Sequence, residues 1–212
     1  MFARFMIIWR RLRAYPPATA TIITLCIFLW LLQMLLGSGV TTSLAFAGAY
    51  VFPDSLQPWR IFTSMFLHST FTPLHLLFNM YSLWWLGSNL EQRIGSWRFL
   101  ALYFISGLGA AVGIVYLQPY NTLTLGASGG IFGLLAAFIV LRIDSGQLWG
   151  IVGLNLIISF LLPGVSWQAH IGGLLSGFVA AWAIKRRNPL LLGAQVILLI
   201  GVIATRPYLL YA

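Results

Sequence analysis

The sequence predicts an all-α polytopic membrane protein, a bundle of six helices followed by a seventh. Three observations carry this. Hydrophobic residues make up 60% of the 212 and charged ones only 7%, far from the soluble average and in keeping with a chain that lives in lipid. Apolar runs long enough for a hydrocarbon core of about 30 Å recur along the chain. The few charges gather at the ends of those runs.

Taken in order, the runs 19–36, 72–89, 97–117, 127–142, 147–162 and 167–184 read as spans. A seventh run, 190–205, sits near the lower limit of the ~17–25 residues a span needs. It is read as an additional helix within 188–212. Basic residues and an apolar stretch ahead of "AFA" (45–47) imitate a signal peptide. The run from Ala18 to Leu36 exceeds the usual apolar core of about 7–15 residues, so it is read as a retained first span. Residues 1–18 then form a short cytoplasmic or interfacial tail. Residues 19–187 form the six-helix core, with 37–71 as its external loop. The apolar stretches "LAFAGAYVF" and "WRIFTSMF" place that loop in the interface. No long period repeats along the chain, unlike the duplicated halves of many transporters. The single cysteine, Cys26, lies within an apolar run and has no internal disulfide partner.

Twelve Lys+Arg against three Asp+Glu give a net charge of +9. The bases cluster between apolar runs, which favours a topological role over nucleic-acid binding. Arg4, Arg10, Arg11 and Arg13 precede the first span. Arg93 and Arg98 lie between the second and third, and Arg142 follows the fourth. Lys185, Arg186 and Arg187 follow the sixth. An N-terminus in the cytoplasm puts all of these inside and leaves only Arg60 and Arg206 outside, as the positive-inside rule prefers.

Few polar side chains remain in the spans, and such groups default to a functional reading. His75 and Asn79, four apart, share one face of the second helix. Ser128 opens the fourth and His170 lies near the start of the sixth. At about 1.5 Å per residue, Ser128 stands roughly 21 Å from Arg142 and His170 roughly 22 Å from Lys185. Asn79 and His75 stand roughly 18 and 24 Å from Glu91. Four groups on three helices thus share a level about 10 Å below the outer surface of the hydrocarbon core. Glycines at Gly129/Gly133 and Gly173/Gly177 have the spacing that lets backbones approach. Gly133 and Gly177 read as packing. At Gly126 and Gly129, access to Ser128 competes with packing.

Serine becomes a good nucleophile when a base takes its proton, and a neutral imidazole at His170 suits that task near pH 7. Glu91 and Asp144 lie at the cytoplasmic ends, roughly 24 Å from this level along their helices. Asp54, in the external loop, stays open as a third member. The simplest reading is a Ser–His dyad. Acyl transfer also needs donors for the developing oxyanion. The Ser128 amide at a helix start supplies one, and the His75 imidazole and Asn79 carboxamide supply others. Phe132, one turn after Ser128, can pack on the His170 ring.

These residues resemble the rhomboid intramembrane serine proteases, and the likeness covers residues 19–187. "GASGGIFG" (126–133) is similar to the family's nucleophile motif, "AHIGGLLSG" (169–177) to its histidine motif, and "HLLFN" (75–79) to its HxxxN motif. "QPWR" (57–60) resembles the WR motif of the external loop, and "EQR" (91–93) the ExR motif after the second helix. The resemblance implies a six-helix core around a water-filled cavity open to the outside. It implies a cofactor-independent and metal-free endopeptidase that cleaves transmembrane protein substrates through an acyl-enzyme. It gives Ser128 as nucleophile, His170 as base, and His68 as an additional histidine that helps retain water. Trp59, Arg60, Glu91 and Arg93 are implied to be mainly structural. The fifth helix and the loop 163–168 are linked to substrate entry. Short tails point to a bacterial inner membrane. A non-catalytic relative that binds or sorts transmembrane segments is the alternative, although such relatives typically lack the serine or the histidine.

Overall fold

The computed structural model describes residues 16–143, 147–162 and 164–211. The basic cluster at Arg4, Arg10, Arg11 and Arg13, most of the tail 1–18, Asp144 and Pro163 lie outside those residues. Helices dominate. The first span is α1 (Pro17–Leu36), followed in the 37–71 loop by α2 (Ser38–Leu44) and a single turn, α3 (Arg60–Thr63). The second span is α4 (Pro73–Ser82), which runs through a wide π turn at Leu83–Gly87 into α5 (Ser88–Ile94). The rest are α6 (Ser96–Leu117), α7 (Ser128–Val140), α8 (Gln147–Leu161), α9 (Trp167–Lys185) and α10 (Pro189–Tyr211). Among the described residues, three helices are long and apolar enough by themselves to cross a membrane: α1, α6 and α10 over Pro189–Pro207.

The centre of the bundle is α6, α7 and α9. Helix α6 is buried on all sides, from Phe99 and Leu102 through Leu108 to Val115, as an apolar helix with no polar stripe must be. Small residues bring its neighbours in. A Cβ on Gly173 would run into the Gly129 carbonyl, and one on Gly177 would run into the Gly133 backbone. On the other face of α9, a Cβ on Gly172 would strike the Gly109 carbonyl. Apolar surfaces gain little by leaving lipid for one another, so close van der Waals contact holds these helices together.

The outer helices are tied on by polar groups. The Glu91 carboxylate accepts from the amides of Ala18 (2.9 Å) and Thr19 (2.7 Å), the Thr19 hydroxyl and the Ser96 hydroxyl. It thereby caps the first turn of α1, whose amides have no acceptor of their own. On α10, the Gln195 amide donates to the Ser176 carbonyl and hydroxyl of α9. The helix continues beyond residue 205 because Arg206 has a place to go: its Nε donates to the Val115 carbonyl at 3.2 Å, and its guanidinium lies 5.3 Å from the Tyr116 ring centroid. The hydropathy that marked 190–205 as a short span ends at that arginine, and so misses the last turns. At the opposite end of the bundle, Lys185 Nζ donates to the Val140 carbonyl. The ends of α7 and α9 that carry Arg142, Arg186 and Arg187 therefore meet.

Two stability predictions follow from these contacts. Gly177→Ala, which must push two backbones apart, is expected to cost about 2–3 kcal/mol in equilibrium unfolding in detergent, whereas Gly201→Ala on α10, where nothing lies within 4 Å, should change stability by less than about 0.5 kcal/mol. Glu91→Ala leaves the amides of Ala18 and Thr19 without their carboxylate and should cost about 3 kcal/mol in the same measurement.

Candidate active site

Ser128 is the first residue of α7, and the chain reaches it in an extended conformation pinned by the 37–71 loop. Phe46 and Thr124 exchange backbone hydrogen bonds of 3.0 and 2.7 Å, and the Gly126 amide donates to the Ser64 carbonyl at 2.9 Å. Gly126 has φ +130°, in the region that favours glycine. A Cβ there would lie 3.0 Å from His75 Nε2 and 3.7 Å from Ser128 Oγ. One small gap thus separates histidine, serine and backbone, and only glycine leaves it open. Among the described residues, no side chain caps the start of α7. Its first amides are free of the partner that Thr72 gives α4 or Ser166 gives α9.

His170 stands in the first turn of α9. That turn is fixed by Ser166, whose hydroxyl accepts from the Ala169 amide and donates to Gln118 Oε1 just past the end of α6. His170 Nε2 lies 2.8 Å from Ser128 Oγ. Phe132 lies parallel to the imidazole, with centroids 4.2 Å apart and planes 16° apart. The other ring nitrogen, Nδ1, lies 2.6 Å from Ser159 Oγ on α8. Both His170 and Ser159 are buried.

His75, on α4, is half-buried. The Ser69 amide donates to its Nδ1 at 3.2 Å, so in the neutral ring the proton sits on Nε2, the nitrogen beside Gly126. Asn79 Nδ2 donates to the His75 carbonyl at 2.7 Å. One of its two N–H groups is therefore engaged within its own helix. His68 is fully buried in the loop before α4, with its ring 5.2 Å from that of His75, and neither ring nitrogen has a protein partner among the described residues. Burial pushes its imidazole down to about 3, so it is neutral at physiological pH. Its backbone is held from α1: Gln33 accepts from the His68 amide and donates to its carbonyl.

The remaining motif residues lie away from this cluster. Arg60 is buried and donates to Gln57 Oε1 and to the Thr42 and Ala45 carbonyls, with its guanidinium 4.1 Å from the Tyr50 ring centroid. It braces the 37–71 loop. Trp59 beside it is half exposed, Arg93 is exposed, and Glu91 caps α1. Gly129, read as a candidate for access to Ser128, faces Ala110 of α6 instead, since the first turn of α7 rotates it away from the gap. Of the acids, Asp54 is exposed in the loop.

Ser159 escaped the sequence reading, although a signal was present. It stands twelve residues after Gln147, roughly 18 Å along α8, at the level counted for the other four polar groups. A serine in an apolar helix reads first as bonded to its own backbone, which it also is: Ser159 Oγ donates to the Asn155 carbonyl at 2.6 Å.

Comparison with known proteins gives the family. The rhomboid domain family matches residues 55–187. The chain is 33% identical over 135 residues to the rhomboid protease GluP of Bacillus subtilis (strain 168), covering 59% of this chain and 26% of that one. It is 37% identical over 143 residues to RHOMBOID-like protein 5 of Arabidopsis thaliana, covering 62% and 45%. Against the rhomboid protease AarA of Providencia stuartii, identity is 31% over 196 residues, covering 75% and 69%. The chain thus spans about a quarter of the first of these relatives and less than half of the second. A helical bundle built on glycine contacts, with the matched residues running from the 37–71 loop to the end of α9, places this chain in the rhomboid family of integral membrane proteins.

Proposed function

We propose that this protein is an intramembrane serine endopeptidase with Ser128 as nucleophile and His170 as general base. The observation that carries the proposal is the 2.8 Å separation of Ser128 Oγ and His170 Nε2 across two membrane helices, within the distance that proton transfer needs. As Oγ attacks the scissile carbonyl carbon, its proton passes to Nε2. Negative charge gathers on the carbonyl oxygen. The uncapped amide of Ser128, the Nε2–H of His75 and the free N–H of Asn79 are the donors for it. The imidazolium then protonates the leaving nitrogen, the C–N bond breaks, and the acyl group stays on Ser128. His170 next takes a proton from water, the resulting hydroxide hydrolyses the ester, and Ser128 recovers its proton.

Residues 19–187 form the catalytic core and 188–212 an added helix. The basic end of the bundle faces the cytoplasm, and the site opens near the 37–71 loop on the periplasmic side of a bacterial inner membrane. The substrates are membrane proteins. Their helices hide carbonyls in hydrogen bonds, so a segment must unwind before attack. The gap that Gly126 leaves between His75 and Ser128 suits an extended backbone better than a helix about 10 Å across.

Ser128→Ala is expected to lower cleavage of a model transmembrane substrate by at least about a thousandfold while the protein remains folded. A serine-directed fluorophosphonate should label the wild type and leave the variant unlabelled. Undiminished cleavage or labelling in the variant removes Ser128 from the mechanism. Binding of the substrate without cleavage, indifferent to Ser128, would instead favour a non-catalytic carrier of transmembrane segments.

A further inference from the structure

We infer that Ser159 is a positioning residue for His170: its hydroxyl oxygen accepts the Nδ1–H and so leaves the Nε2 lone pair facing Ser128. The inference rests on the reading of Ser128 and His170 as nucleophile and base.

A hydroxyl has one proton and two lone pairs. The Ser159 proton is directed to the Asn155 carbonyl at 2.6 Å. The contact of 2.6 Å between Ser159 Oγ and His170 Nδ1 then needs its proton from the ring. A neutral imidazole protonated at Nδ1 has its lone pair at Nε2, where Ser128 Oγ stands at 2.8 Å. Asn155 carbonyl, Ser159, His170 and Ser128 form one directed chain over α8, α9 and α7. Each donation polarises the next bond in the same sense.

The opposite tautomer would place N–H against Ser128 Oγ and leave no lone pair to receive the serine proton. Phe132 stacks flat on the ring and fixes its plane, but a stacked hydrocarbon is indifferent to which nitrogen bears hydrogen. Ser159 is 3% exposed, so bulk water is not available to supply the same hydrogen bond. When Ser128 gives up its proton, the ring becomes imidazolium. Its Nδ1–H then donates to an oxygen already polarised by the Asn155 carbonyl. The proton returns through Nε2 to the leaving nitrogen, so Ser159 neither gains nor loses one.

The test uses the whole 212-residue chain in detergent, with Ser159→Ala and Ser159→Thr. The alanine variant should lose about tenfold in kcat, with KM for a transmembrane substrate within about twofold of wild type. The threonine variant, which keeps the hydroxyl, should recover most of that loss. Nitrogen-15 spectra of histidine-labelled protein at neutral pH give the independent reading. His170 should be protonated at Nδ1 in wild type and in Ser159→Thr, and shift toward Nε2–H in Ser159→Ala, with His75 unchanged. An unaltered kcat in Ser159→Ala, a threonine variant as impaired as the alanine one, or a His170 ring protonated at Nε2 in wild type would each overturn the inference. Should the wild type fail to label with fluorophosphonate at Ser128, the nucleophile assignment falls, while the tautomer spectra still decide the role of Ser159 because they need no turnover.

Discussion

The contact on which the rest depends is the close approach of α7 and α9 through Gly129, Gly133, Gly173 and Gly177. It does two tasks at once. It joins two helices in a solvent where hydrophobic burial contributes little, and it fixes their register. Ser128 is one residue before Gly129, and His170 is three before Gly173. A slip of one turn along either helix moves its side chain by about 5.4 Å, which would break the 2.8 Å contact of Ser128 with His170. Larger residues in the stripe would force the two backbones apart, since a Cβ on Gly173 or Gly177 already meets the backbone of α7. The geometry of the site is therefore a consequence of how the bundle coheres.

The loop side of the bundle adds a second constraint. Backbone at membrane depth needs hydrogen-bond partners, and the extended approach to Ser128 finds them in the 37–71 loop, at Phe46 and Ser64. That loop is in turn held by Arg60 on carbonyls and by Gln33 of α1. Its own composition, apolar with a buried arginine, follows from this role as a wedge between helix ends. Gly126 is the point where the two constraints meet. Its amide is bonded to the loop, its φ is open only to glycine, and its missing side chain is the gap beside His75.

Much of the fold was legible because the bilayer makes sequence one-dimensional. Span lengths follow hydropathy, and depth follows residue count. The spans of α1, α6, α7, α8 and α9 lie within a few residues of their apolar runs. The same arithmetic drew attention to Ser128, His170, His75 and Asn79 as one level. What counting cannot give is rotation about a helix axis. Gly129 looked like a neighbour of the Ser128 hydroxyl and faces α6 instead. Asn79 lies on the His75 face, yet its amide turns back to its own helix. Charge also misled at α10, where Arg206 ends the hydropathy run but finds a carbonyl and an aromatic ring. Ser159 was hidden by a sound prior, that a membrane serine bonds its own carbonyl. It does so, and its remaining lone pairs are what the count overlooked.

The site also suggests why no carboxylate stands in it among the described residues. A carboxylate beside His170 would have to leave water, at a cost of several kcal/mol even when paired. Here the ring is met by a hydroxyl instead, and His75 by a backbone amide. The Ser69 amide makes His75 a donor at Nε2. On the proposed role of Ser159, His170 has the opposite tautomer and is an acceptor there. In that proposal one histidine receives a proton and the other faces an oxyanion, with no net charge buried in the resting state. A neutral orienting group stabilises the imidazolium less than a carboxylate would. In the proposed mechanism the deficit falls on the states that carry the imidazolium, while the register set by the glycines is untouched by it.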